Sequence, residues 1–129
     1  LEEDFEFSQS SKNDVFEISK WMSRKLKVEI EPQSFLERPY RVGEFADGLK
    51  LVKIAETLLR KEIRGIERKP RTRGARVGNC KRAVDALFAG VGDIPAVARE
   101  GHRGVAEGNG PVIMEVLKTI KKKYDFKYV

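Results

Sequence analysis

From Asp47 to Leu59 the chain sets Leu49, Leu51, Val52, Ile54, Ala55, Leu58 and Leu59 on a helical repeat that covers well over a third of the circumference. A face that broad has to be enclosed by other elements, so this stretch predicts a central, mostly buried helix with Asp47 as its N-cap. Other segments repeat the period. Val15, Ile18, Trp21, Met22 and Lys25/Leu26 recur at three- and four-residue steps, with Ser11 or Asn13 available as a cap. Val77, Cys80, Val84, Leu87 and Phe88 do the same until Gly90-Val91-Gly92 stops them. Asn109 caps a last helix with Pro111 in its first turn. Its apolar face is Val112, Ile113, Val116, Leu117, Ile120 and Tyr124, and Lys121, Lys122 and Lys123 stand at the end where cations match the helix dipole.

Two shorter helices are expected between these. One spans 32–38, with Phe35 and Leu36 inward and Pro39 as its stop; the other starts at Asp93-Ile94-Pro95, carries Val97 and ends at Gly101. No stretch alternates apolar and polar residues long enough to make a strand, and no heptad seam or internal repeat is visible. The fold class is therefore all-α, a compact bundle of about four longer helices plus two short ones. At 129 residues the chain has the length of one domain, which buries enough surface to fold without disulfides or a structural metal.

Residues 1–12 mix acids with Ser and Gln and read as a flexible acidic arm, followed by the domain proper at 13–129. The first residue is Leu rather than Met, which reads as a piece cut from something longer. Apolar runs are only a few residues long, so no membrane span is expected. A single cysteine, Cys80, cannot make an internal disulfide, and with one histidine, His102, no zinc set can be assembled. Cys80 and Trp21 both fall on apolar stripes and are expected in the core. A reducing, cytoplasmic setting is the corresponding expectation.

The net charge of +6 is unevenly distributed. Residues 1–17 hold six acids against one base, a local −5. Residues 60–76 hold eight bases (Arg60, Lys61, Arg64, Arg68, Lys69, Arg71, Arg73 and Arg76) against two acids, a local +6. Gly65, Pro70 and Gly74 lie among them, so the stretch reads as one long exposed loop. A second basic cluster, Lys118, Lys121, Lys122, Lys123 and Lys127 with Asp125, closes the chain. Fields this concentrated call for an acidic partner such as nucleic acid, an anionic membrane or an acidic protein surface. Carboxylates are plentiful, yet no nucleophile and base stand with them in a catalytic pattern, and no phosphate-loop ending follows Gly90-Val91-Gly92 or Gly108-Asn109-Gly110. The expectation is a protein without enzymatic activity, cofactor or metal.

Four blocks carry a resemblance to a known family. The run 45–56, Phe-Ala-Asp-Gly-Leu-Lys-Leu-Val-Lys-Ile-Ala-Glu, resembles the aspartate-glycine and leucine-rich helix of calponin homology domains. Gly78-Asn79-Cys80-Lys81-Arg82-Ala83-Val84-Asp85-Ala86-Leu87 is similar to that family's central helix, with Asn79 at its asparagine position. Gly108-Asn109 leading into 112–117 resembles its last long helix, and Trp21-Met22 its early tryptophan. Together, in order, they span roughly residues 14–124, and Glu29-Ile30-Glu31 before Phe35 looks like single-copy members.

The resemblance implies a module that attaches a larger protein to the cytoskeleton. Where tandem actin-binding members carry a hydrophobic strip, this chain has Lys69-Pro70-Arg71-Thr72-Arg73-Gly74-Ala75-Arg76, which favours acidic tubulin over F-actin. The candidate contact residues are Lys61, Arg64, Arg68, Lys69, Arg71, Arg73 and Arg76, with Lys118, Lys121, Lys122 and Lys123 as the second set. Two other readings stand behind this one. In the first the domain is a scaffold that binds another cytoskeletal protein without touching a filament. In the second, nucleic acid binds the basic loop, for which only Tyr40 is near enough to stack. An isolated domain of this kind is expected to be monomeric.

Overall fold

Residues 9–125 are described by a computed structural model. Seven helices follow one another: α1 (Gln9–Trp21), α2 (Gln33–Leu36), α3 (Leu49–Leu59), α4 (Arg73–Phe88), α5 (Ala96–Arg99), α6 (His102–Ala106) and α7 (Gly110–Tyr124). Four of them are long, and among the described residues the only β pairing is an isolated antiparallel bridge between Arg41 and Asn109. The all-α class is thus established, with three short helices where two were expected. The additional one, α6, follows Gly101, which separates it from α5 and is its N-cap residue. In α5 the residue that faces inward is Ala98, whereas Val97, expected as its apolar contact, is exposed.

Helix α1 starts at Gln9, four residues before the expected boundary at Asn13, so its first turns use part of the acidic segment 1–12. The remainder of that segment, residues 1–8, lies outside the described residues, as does Lys127. At Trp21 the helix widens into a π-type turn, Met22–Leu26, which ends at Lys27 in a left-handed conformation. This turn brings both Met22 and Leu26 into the interior and leaves Lys25 outside.

The core is one continuous cluster to which every long helix contributes. Leu51, Val52, Ile54, Ala55 and Leu58 of α3 are buried, against α4 on one side and the Met22–Leu26 turn on another, so the broad apolar face of α3 is enclosed as its pattern requires; Val15, Ile18 and Trp21 of α1 are buried in the same cluster. Cys80, Val84, Leu87 and Phe88 of α4 and Ile113, Val116, Leu117 and Ile120 of α7 close it. Non-helical chain also contributes: Val28, Ile30, Val42 and Phe45 are all buried. Tyr124 donates its hydroxyl proton to the Leu87 carbonyl, which ties the end of α7 to the end of α4, and burial raises its pKa.

The start of α3 depends on two adjacent residues. Asp47 Oδ1 accepts from the Leu49 N–H at 2.9 Å, but the N-cap position is Gly48, at φ +80°. A Cβ at Gly48 would stand 2.5 Å from Asn79 Cβ and 2.9 Å from the Cys80 amide nitrogen, so α3 and α4 approach as closely as they do because position 48 has no side chain. Gly48→Ala therefore combines an unfavourable φ with a clash against backbone. It is expected to lower unfolding free energy by about 2 kcal/mol or more, since strained φ and overpacking each cost of that order. Urea denaturation reads this directly, and a midpoint equal to that of the parent would disprove the close approach.

Candidate functional site

Beyond α3 the chain turns at Arg60, whose backbone is left-handed, and enters the basic segment. Two isoleucines decide its path. Ile63 drops back into the core and Ile66 packs against it, so the segment is tethered by apolar contact at both positions. Polar contacts fix it further. The Ile63 N–H donates to Glu56 Oε2 at 2.9 Å, and the same oxygen accepts from Arg68 Nη2 at 3.3 Å. At its centre the Glu67 N–H donates to Asn79 Oδ1 at 2.9 Å, while Asn79 Nδ2 donates to the carbonyls of Glu67 at 2.8 Å and Asp47 at 3.0 Å. Asn79 is 2% exposed, and its carboxamide joins three segments.

The expected loop of 60–76 is shorter than its composition suggests. Thr72 caps α4 by accepting from the Ala75 N–H at 3.0 Å, so Arg73 and Arg76 lie in the first turn of a helix, not in a loop. Gly74 does not prevent this: one exposed helical glycine costs about 1 kcal/mol, and the cap together with the buried face that follows offsets it. Cations in the first turn of a helix oppose its dipole by about 0.3–1 kcal/mol each, so helix stability gives no account of Arg73 and Arg76 there.

The candidate cations fall into two groups. Arg68 is paired with Glu56, and Arg73 with Glu107 at 2.6 Å, though all but Glu56 are more than half exposed. Lys61, Arg64, Lys69 and Arg71 are exposed, Arg76 is half-buried, and none of these five has an ion-pair partner among the described residues. The turn at Gly65 adds Arg82, which residue patterns did not single out. A Cβ on Gly65 would lie 2.7 Å from Arg82 Cζ, so the guanidinium of α4 lies against the loop and extends the same surface. Its place three residues after Asn79 on α4 was the available signal.

The second cluster is not part of this surface. Arg73 meets Glu107 just before α7 begins, whereas Lys121 follows Asn109 by twelve residues, about 18 Å along the helix axis. Its charges are also partly answered: Lys118 reaches Asp14 at 3.4 Å and Lys121 reaches Asp125 at 3.3 Å, leaving Lys122 exposed and Lys123 half-buried. The cleft of about 500 Å³ beside them includes Asp14, Glu17 and Glu115, a mixed lining rather than a basic one.

Groups capable of chemistry are scattered. Cys80 is in the core as expected, and burial followed by the nearby Asp47 charge pushes its thiol up to about 12, so it stays protonated. His102 has its pKa lowered by burial and by Lys81 and Arg103, and its Nδ1 has no hydrogen-bond partner among the described residues. Among those residues no group of three His, Cys, Asp or Glu side chains is placed to hold a metal ion. None of their helices is long and apolar enough to cross a membrane. Comparison with protein-family models, curated proteins and solved structures found no match.

Asn79→Ala leaves the Glu67 amide and two carbonyls without their partner. A loss of about 2–3 kcal/mol in unfolding free energy is expected, the range for orphaned buried polar groups. Trypsin should also cut faster after Arg68 or Arg71. An unchanged urea midpoint with unchanged digestion would show that the carboxamide does not hold the segment.

Proposed function

We propose that this chain is a non-enzymatic binding module of calponin-homology type, and that its basic surface docks on the acidic face of a cytoskeletal filament, microtubules ahead of F-actin. The observation that carries this reading is the display of unpaired cations on a segment pinned from beneath. Lys61, Arg64, Lys69 and Arg71 face solvent while Ile63, Ile66 and Glu67 tie their backbone to α3 and α4. A mobile basic tail would have to lose chain entropy on binding; this one is already ordered. Two further features agree with it: Arg73 and Arg76 stand where the α4 dipole disfavours them, and Arg82 adds a cation from a different element. Tubulin's strongly acidic tails suit such a surface better than an actin site that needs apolar contact. The blocks that resemble calponin homology domains lie on, or lead into, α1, α3, α4 and α7.

Attraction of this type steers association and is screened by salt, with a Debye length of about 10 Å at 0.1 M. Co-sedimentation with microtubules and F-actin in parallel is the test. Pelleting with microtubules is expected. It should weaken at least about tenfold when Lys61, Arg64, Lys69 and Arg71 are changed together to Glu, a loss that a few charge contacts account for. Removing the acidic tails of tubulin or raising salt should act in the same direction, whereas Lys121→Glu with Lys122→Glu should change little. Pelleting with neither polymer would sink the filament reading and leave the scaffold reading, in which a stoichiometric protein partner replaces the filament.

A further inference from the structure

The segment 60–76 contains a single side-chain hydroxyl, Thr72, among its eight cations. Thr72 is exposed, and its backbone is extended, at φ −118° and ψ 160°. Residues 68–71 before it form neither helix nor strand, so an enzyme that takes its acceptor segment as extended chain meets no element that must first unfold. The hydroxyl oxygen accepts from the Ala75 N–H at 3.0 Å, and its own proton has no acceptor among the described residues. Thr57 and Thr119 differ in this respect: their hydroxyls donate to the carbonyls of Lys53 and Glu115 inside helices.

Unanswered positive charge surrounds this hydroxyl. Lys69 and Arg71 precede it and are exposed, Arg76 follows one turn later, and none of the three has an ion-pair partner among the described residues. The Arg76 N–H donates to the Thr72 carbonyl at 3.1 Å, which closes that turn and sets the two side chains at the i, i+4 spacing, about 6 Å between Cβ atoms. The nearby acids do not fill the place. Glu107 engages Arg73, which is therefore not counted among the three, and Glu67 Oε1 accepts from the Lys69 backbone N–H at 3.2 Å.

We propose that Thr72 is a phosphorylation site, and that its phosphate, held by Arg76 with Lys69 and Arg71, withdraws the basic surface from an acidic partner. The γ-phosphoryl group of ATP passes to Thr72 Oγ1 on a protein kinase. An O–P bond forms, the bond from the γ-phosphorus to the bridging oxygen of the departing ADP breaks, and the hydroxyl proton goes to the kinase's base. The product carries a charge of about −1.5 to −2 at pH 7 and three acceptor oxygens, which lowers the local +6 of 60–76 to about +4. Lys69 and Arg71, two of the four exposed unpaired cations of the docking surface, then face an anion of their own chain. The same phosphate repels the acids those cations would otherwise meet. The acceptor site stands apart from the filament reading; its use as a switch rests on that reading.

Treatment with magnesium-ATP and the catalytic domain of a serine/threonine kinase that selects basic residues before the acceptor tests the site, with the modified residue located by mass spectrometry. One phosphate on Thr72 is expected, and none at position 72 of Thr72→Asn, a variant that keeps a capping oxygen and hence the circular dichroism of α4. The phosphorus-31 resonance of the product should titrate at lower pH in the folded protein than in urea, because neighbouring cations favour the dianion, and Arg76→Gln should remove part of the difference. In co-sedimentation with microtubules the phosphorylated protein should bind at least about tenfold more weakly than the unmodified one, while kinase treatment should leave Thr72→Asn unchanged. The proposal is overturned by phosphate on other residues and not on Thr72, by equal titration in folded protein and urea, or by equal pelleting of the phosphorylated and unmodified proteins. Should the unmodified protein pellet with neither polymer, the filament reading falls by itself, and the labelling and the titration still decide the site.

Discussion

The hydrogen bonds of one buried carboxamide hold together the parts of this protein that matter for its surface. Asn79 projects from α4 into the junction where α3 begins and the basic segment passes, and it satisfies a donor and two acceptors there. An apolar residue at 79 would leave those groups unpaired in a place water does not reach, at a cost of kilocalories rather than tenths. The close approach of α3 and α4 follows from the same residue, because Gly48 abuts its Cβ. Helix packing, helix capping and loop conformation therefore share one contact, and a change at any of the three positions is felt by the other two.

The clamp explains how so many like charges can be held close together. Eight bases in seventeen residues repel one another, and a segment free to move would spread to relieve the repulsion. Here the backbone is fixed by Ile63, Ile66 and Glu67, so the repulsion is borne as a modest cost in stability and the charges keep their places. Glu56 shows how the cost is limited: one carboxylate oxygen receives both a backbone N–H of the segment and the Arg68 guanidinium. What is left unpaired, Lys61, Arg64, Lys69 and Arg71, is exposed.

Much of this was legible in the sequence. The three- and four-residue spacing located α1, α3, α4 and α7, because burial of one face is what makes a helix of such residues stable. The chain between 60 and 76 was harder. Glycines, a proline and charges gave it the composition of a loop, and that weight concealed Thr72, whose capping hydroxyl starts α4 before Gly74. The same charges drew attention away from Ile63 and Ile66, two apolar residues three apart whose presence in a solvated loop has no purpose but anchorage. Arg82 was out of reach for a different reason. Its contact with Gly65 is made across two elements seventeen residues apart, so the helical period could place it on the face of Asn79 but not against the loop. For the second cluster the sequence showed the cations and not Asp14, the acid from α1 that folding brings to Lys118.

The pair Arg73–Glu107 joins the start of α4 to the end of α6. Arg73 follows the Thr72 cap, and the Glu107 carbonyl also accepts from Arg41 Nη1. An exposed pair of this sort contributes about 0–1 kcal/mol, so it does little to hold α4 against α6. Its physical importance lies in what each member does when the other is taken. An acid that met Arg73 would compete with Glu107 for one guanidinium, at a cost no larger than the small free energy of that exposed contact.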